Sequence, residues 1–396
     1  MNRKFIIYFV FVPSLFFLAG CWDSVELNDR AIELAWGIDE ANDQNIKIST
    51  QIIIPSKIGG GQGNSSGGGG QGQPYFVESG IGKDTLEAVQ HMQSKLSRKI
   101  FRGQRRVIVI GEKLARQGIK DLMDTYTRDP SINLLTDIFV IKEDTAENFL
   151  KTTHTLENIS AVGAIKEYSQ IEEQKGEGFI YFLLSAVSDG TRPTMPAIEL
   201  GTATKEGEGQ GEEPNVKGFQ IKGTGIFNKD LKLIGYLNME EERALRWVTE
   251  RLDNLTVTSS VPKENGYVSM DLTKLKSKIK PIIQGNKIKF LVTLSSSGAL
   301  RENNTNLDLT QVKNVALVQR ALAKQAERTV FNTISLVQKE YGIDIFGFGD
   351  ALKRKDLHRW RSLKNNWDKE FANIEVSVKA NLTIRKIGVT GKSLIK

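Results

Sequence analysis

The chain has 396 residues, with 54 Lys and Arg against 47 Asp and Glu for a formal net charge of +7, and 39% of its residues are hydrophobic. That length and apolar content suit two or three globular domains. They exclude a polytopic membrane protein, because no stretch beyond the first 20 residues approaches the ~20 apolar residues a membrane-spanning helix needs. The single cysteine, Cys21, excludes an intramolecular disulfide.

Arg3 and Lys4 precede an apolar run from Phe5 to Phe17 that is too short to span a bilayer and reads as the core of a signal peptide. Leu18-Ala19-Gly20-Cys21 closes it. The small residues fit a peptidase cleft, and the thiol of Cys21 is the expected attachment point for a diacylglycerol. Two or more acyl chains on one cysteine make a stable anchor. Without residues 1–20 the chain keeps 52 basic and 47 acidic residues, a net of +5. The charge is uneven: Cys21–Val216 has 20 basic against 29 acidic residues, whereas Lys217–Lys396 has 32 against 18. A basic second half suits anionic phospholipid headgroups, an acidic protein surface or nucleic acid. The leader places the body outside the cytoplasm, which disfavours nucleic acid.

In chain order, apolar residues at 46, 48, 52, 53 and 54 predict a strand ended by Pro55, and residues 59–74 read as a flexible Gly-rich loop. Asp84-Thr85-Leu86-Glu87 has the form of a capping box. It opens a helix over 84–97 whose buried face is expected to hold Leu86, Val89, Met92 and Leu96. Val107–Ile110 suits a central strand. Helices are expected at 112–118 and 119–127, a strand at 134–141, and helices at 145–152, 156–173 and 179–187. The Gly- and Glu-rich stretch 201–216 reads as a linker. Beyond it strands are expected at 217–227, 231–236, 254–260, 266–272, 274–283, 286–297 and 374–386, with helices at 239–252 and 350–366. The longest helix is expected over 310–342, with Val315, Val318, Leu322, Ala326, Val330, Ile334, Val337 and Tyr341 in one stripe and Gly342 as its cap. The fold class is therefore α+β. It comprises an N-terminal mixed α/β domain over 21–200, a Gly/Glu linker, and a C-terminal domain over 217–396 with an antiparallel sheet and helices packed on one face.

Chemistry for catalysis is sparse. His91, His154 and His358 stand far apart with no ligand spacing, and Glu240-Glu241-Glu242 suits the N-terminus of a helix better than acid–base work. No catalytic residue, metal or cofactor is expected. Lys274, Lys276, Lys278 and Lys280 alternate with Leu275, Ser277 and Ile279, which puts their ammonium groups on one side of a strand. Lys287 and Lys289 continue that side on the next strand, so the six mark a possible interaction surface.

Several stretches together resemble the C-subunit lipoproteins of bacterial spore germinant receptors, the Ger(x)C family. They are Cys21-Trp22-Asp23 with Glu26 and Asn28, and Val107–Glu112 with Ala115 and Gly118. Arg128-Asp129-Pro130, Gly225–Asp230, and Leu233–Leu237 with Glu241 and Trp247 follow, and Phe346-Gly347-Phe348-Gly349 with Trp360 and Trp367 completes the set. The resemblance runs nearly end to end. It implies a non-enzymatic subunit on the outer face of the spore inner membrane, partnered by the membrane proteins called the A and B subunits. The alternative is an extracytoplasmic solute-binding lipoprotein that captures the nutrient itself.

Overall fold

The computed structural model describes residues 29–42, 45–58, 73–128, 133–154, 156–172, 178–202 and 217–388. Cys21, the centre of the Gly-rich loop and Asp129-Pro130 lie outside them. The first sheet has nine strands: β1 (Arg30–Glu40), β2 (Ile46–Ile53), β3 (Tyr75–Gly82), β4 (Lys99–Phe101), β5 (Val107–Gly111), β6 (Asp137–Lys142), β7 (Thr194–Thr202), β8 (Lys217–Phe227) and β9 (Leu233–Leu237). Their order is β3-β2-β1-β5-β6-β7-β8-β9, with β4 beside β1. The central strands β1, β5, β6 and β7 run parallel, and antiparallel pairs flank them on both sides. Every residue of β5 is buried, as a strand covered on both faces requires.

The period-two alternation sorts the core. Trp36, Ile108, Ile110 and Val140 face the helices Thr85–Gln93, Glu112–Gln117, Lys120–Arg128 and Phe179–Ala186. Ala35, Val107, Val109, Phe139 and Ile141 face Ala146–Lys151 and Ser160–Glu172. The helix Thr85–Gln93 forms where expected, and the Asp84 side chain accepts from Glu87 N at 2.9 Å. Its buried face differs from the expected one: Thr85, Ala88, Val89 and Met92 point inward, and Leu86 is 69% exposed. The reason is the close seating of the helix on β3. A Cβ on Gly80 would lie 2.1 Å from Ala88 O and one on Gly82 2.3 Å from Ala88 N, so the short Ala88 must face the strand.

Two boundaries change. The strands expected in the second domain at 217–227 and 231–236 form as β8 and β9 and add to the first sheet, and Thr202 pairs with Lys217 across the β7–β8 ladder. Residues 203–216 therefore connect two neighbouring strands of the first sheet. The second sheet holds β10 (Asn254–Ser260), β11 (Tyr267–Gln284), β12 (Lys287–Asn303) and β13 (Glu375–Lys386) in that order. β10, β11 and β12 pair antiparallel, as expected, but β13 runs parallel to β12, so this sheet is mixed. The physical cause is the connection: the helices between β12 and β13 carry the chain back across the sheet, which a hairpin cannot do.

The helices cover one face of that sheet. Val312–Leu336 buries Val318, Leu322, Ala326, Val330 and Ile334, continues as a wider turn over Val337–Tyr341, and stops at Gly342, whose φ of +63° is readily adopted only by glycine. Phe348–Lys355, Leu357–Leu363 and Trp367–Asn373 complete the layer. Trp360 and Trp367 are both buried and meet edge to face, with ring centroids 5.2 Å apart.

Candidate functional site

The open face of the second sheet carries the lysines. The two strands expected at 266–272 and 274–283 are one strand, β11, interrupted by a bulge between Thr273 and Lys276 with Lys274 at φ +57°. Before the bulge the even positions Val268, Met270 and Leu272 are buried; after it the buried position is odd, Leu275. The bulge thus changes the phase of the strand by one residue. Without that change Lys276, Lys278 and Lys280 would point into the helices.

The cross-strand register extends the row. Lys278 pairs with Thr293, which pairs with Lys379 of β13; Ile282 pairs with Lys289, and Gln284 with Lys287. Lys274, Lys276, Lys278, Lys280 and Lys287 are exposed and have no acidic partner among the described residues, whereas Lys289 meets Glu375 at 2.6 Å. Lys379 joins the same face and was missed in the sequence reading; the alternation within 374–386 was its signal.

A second constellation lies where the two sheets meet. The Asp344 side chain is fully buried and accepts from Phe346 N and Gly347 N at 2.9 Å, Gly349 N at 2.8 Å and Trp367 Nε1 at 3.0 Å. Burial pushes its carboxyl up to about 6, while these four donors pull the other way. The turn so held docks on the segment that enters β7. Arg192 N donates to Asp344 O at 2.7 Å, the Arg192 guanidinium reaches Asp368 at 3.1 Å, and Ser188 Oγ donates to Asp350 at 3.1 Å. Gly349 is needed because a Cβ there would lie 2.7 Å from the Gly190 Cα. The Phe-Gly-Phe-Gly motif is thus the joint between the sheets, a role that sequence reasoning did not assign.

Of the three adjacent glutamates, Glu241 closes a capping box with Asn238 at the start of the helix Met239–Val248. Glu242 is buried and pairs with Arg246 at 2.7 Å, and Arg246 in turn meets the Tyr168 hydroxyl of the first domain. His91 contacts Ile81 O, His154 lies 3.4 Å from Glu167, and His358 borders an open groove beside β12. Among the described residues no group of three or more His, Cys, Asp or Glu is placed to hold a metal, and no helix is long and apolar enough to cross a membrane.

Residues 23–200 match the family described as spore germination protein N-terminal domain, and residues 222–388 match spore germination B3/GerAC like, C-terminal. The chain is 29% identical to spore germination protein KC of Bacillus subtilis (strain 168), over 98% of this chain and 97% of that protein. It is 23% identical to spore germination protein B3 of the same organism, over 98% and 99% of the two chains. The crystal structure of the GerBC protein superposes with a TM-score of 0.54 at 18% identity, covering 88% of this chain and 96% of that one, and so shares its fold. With both halves matched by profiles of spore germination proteins, and with relatives aligned along nearly its whole length, the chain belongs to the Ger(x)C family.

Proposed function

We propose that this protein is the lipid-anchored, non-enzymatic C subunit of a nutrient germinant receptor. Acyl chains on Cys21 hold it on the outer face of the spore inner membrane, where it works beside the A and B membrane subunits. One observation carries the reading: the chain's only cysteine ends a short apolar leader, and the body behind it aligns along nearly all its length with spore germination proteins. The two sheets differ in strand number and pairing, which argues against a solute-binding protein built from two similar lobes. Replacing Cys21 by alanine is expected to release the protein from the membrane fraction and to weaken germination toward one set of nutrients. A variant that stays fully membrane-bound and fully responsive overturns the assignment.

The lysine face docks the tethered body on anionic headgroups. Each lysine near such a surface contributes about 1 kcal/mol. The combined change Lys276→Gln, Lys278→Gln and Lys280→Gln, made in the unacylated Cys21→Ala chain, is expected to weaken binding to phosphatidylglycerol vesicles about 100-fold. Sedimentation with vesicles at two salt concentrations reads this directly. Equal binding of the lysine-intact chain to neutral and anionic vesicles removes the docking role.

A further inference from the structure

The helix Phe179–Ala186 carries no charged residue. Its inner side is packed: Phe179 meets Tyr126 edge to face with centroids 5.8 Å apart, and Phe182 meets Phe227 at 5.4 Å. Its outer side is just as apolar, with Tyr181, Leu184 and, one residue past its end, Val187 spaced by three and all exposed, Leu184 by 58% and Val187 by 80%. The turn before β6 adds Leu134 and Leu135, the latter 75% exposed, and Leu134 O accepts from Ile180 N at 3.0 Å, which fixes that turn against the first turn of the helix. Single exposed apolar residues are ordinary on a protein surface, whereas a patch of them marks a contact.

The place of this patch in the fold names its occupant. β1, β5, β6 and β7 run parallel, so all four are entered from one end of the first sheet. The Leu134–Leu135 turn lies at that end, and the helix, bridged to Asp137 through Gly178, leads back to the start of β7 there. Arg30 opens β1 at the same end and follows Cys21 by nine positions, a reach of at most about 30 Å. The opposite end lies roughly 35 Å farther on, along the 11 residues of β1. An acylated Cys21 therefore brings the patch, and not the opposite end, to the membrane. Arg98, Lys99 and Arg106 are exposed at this end, Lys99 level with Arg30 and Arg106 directly before β5. Of the exposed acids there, Asp124 is paired with Arg128 at 2.8 Å and Asp189 lies 3.9 Å from Lys364, which leaves Asp29 among the described residues. Leucines and a tyrosine flanked by basic side chains suit a bilayer interface, where apolar groups enter the acyl region while Lys and Arg reach the phosphates. We propose that this end of the first domain is seated in the bilayer surface beneath the anchor, a placement that rests on the lipid-anchored reading: Leu135, Leu184 and Val187 enter the acyl region, Tyr181 lies at headgroup level, and Arg98, Lys99 and Arg106 meet phosphates. The contact is mainly apolar, in contrast to the lysine face, which acts by charge.

The test uses the acylated full-length protein, reconstituted without other subunits in liposomes of phosphatidylglycerol and phosphatidylcholine that include a nitroxide-labelled phosphatidylcholine. With Cys21 acylated, a cysteine introduced by Leu135→Cys, by Leu184→Cys or, at the opposite end of the sheet, by Leu86→Cys is the sole free thiol for an environment-sensitive fluorophore. All three side chains point to solvent, so the substitutions leave the core intact. Labels at 135 and 184 are expected to shift to the blue and to be quenched by the lipid nitroxide, while the label at 86 stays unquenched. The quenching persists at about 1 M salt, where the Debye length is only about 3 Å and charge contacts are screened. Flotation with the liposomes reads the anchor separately. Protein that fails to float refutes the anchor and the seating together, whereas floating protein whose labels at 135 and 184 are as unquenched as the one at 86 overturns the seating and leaves the anchor standing. Quenching that vanishes at high salt also overturns it, by assigning the contact to charge. So do labels that lipid never quenches but that become shielded from iodide once membrane subunits are added, which would give the face to a protein.

Discussion

Asp344→Ala is expected to destabilise the protein by about 4 kcal/mol, a large share of the ~5–15 kcal/mol by which whole domains are stable. The substitution strands four buried donors at once, the amides of Phe346, Gly347 and Gly349 and the Trp367 indole. Each unmet donor costs about 1–3 kcal/mol. Removing a buried carboxylate gives back on the order of 3 kcal/mol, because burial raises its pKa from 3.8 to about 6. The stranded donors outweigh that relief. Asp344→Asn keeps one acceptor oxygen and is expected to lose about half as much, as urea denaturation will show.

The same group sets a pH dependence. Its folded-state value lies above its unfolded one, so its contribution to stability is full below about 3.8 and is lost as the pH rises through about 6. Acidifying from pH 7 to pH 5 should therefore raise the melting temperature of the wild type relative to Asp344→Asn. An unchanged difference between the two would mean that Asp344 does not titrate in this window.

The second large effect is expected from Glu33→Ala, at about 3–5 kcal/mol. Glu33 is fully buried, pairs with Arg105 at 2.6 Å and accepts from the Trp36 indole at 2.6 Å. The Arg105 guanidinium lies 3.7 Å from the centroid of the Trp36 ring. Without Glu33 that cation stays in the interior with no counter-charge. Replacing both partners by apolar residues, Glu33→Leu with Arg105→Met, should recover most of the loss, because the desolvation of both charges disappears together. A double variant as unstable as the single one would assign the effect to packing. Chemical denaturation of the three proteins separates the cases.

What was legible in the sequence was local. Val107–Ile110 shows a buried central strand because covering both faces requires an unbroken apolar run, and the stripe from Val318 to Ile334 shows a long helix because its spacing repeats for several turns. The lysine row was legible from period two alone, but the bulge at Lys274 that turns it toward solvent rests on a left-handed backbone at a residue type that does not advertise one. Long-range pairing left no such mark. Nothing near Glu375 announces that it meets Lys289 in parallel register, and nothing in the spacing of Glu242 and Arg246 names Tyr168 of another domain as their neighbour. The inward face of Thr85–Gln93 was misread for the same reason: glycines on a different element, β3, decide which side of the helix fits.

The return of the chain from β7 to β8 through residues 203–216 has a practical consequence for anyone dissecting this protein. A fragment that stops at residue 202 keeps β7 beside β6 but lacks β8 and, beyond it, β9, and so presents the free side of β7 as a bare rim of main-chain amides and carbonyls that invites clumping. The fragment from 217 onward carries two orphan strands with no sheet to join. Expressing either piece by itself yields sticky, incomplete material, whereas producing the two together lets them anneal along the ladder that runs from Thr194–Ile226 to Thr202–Lys217.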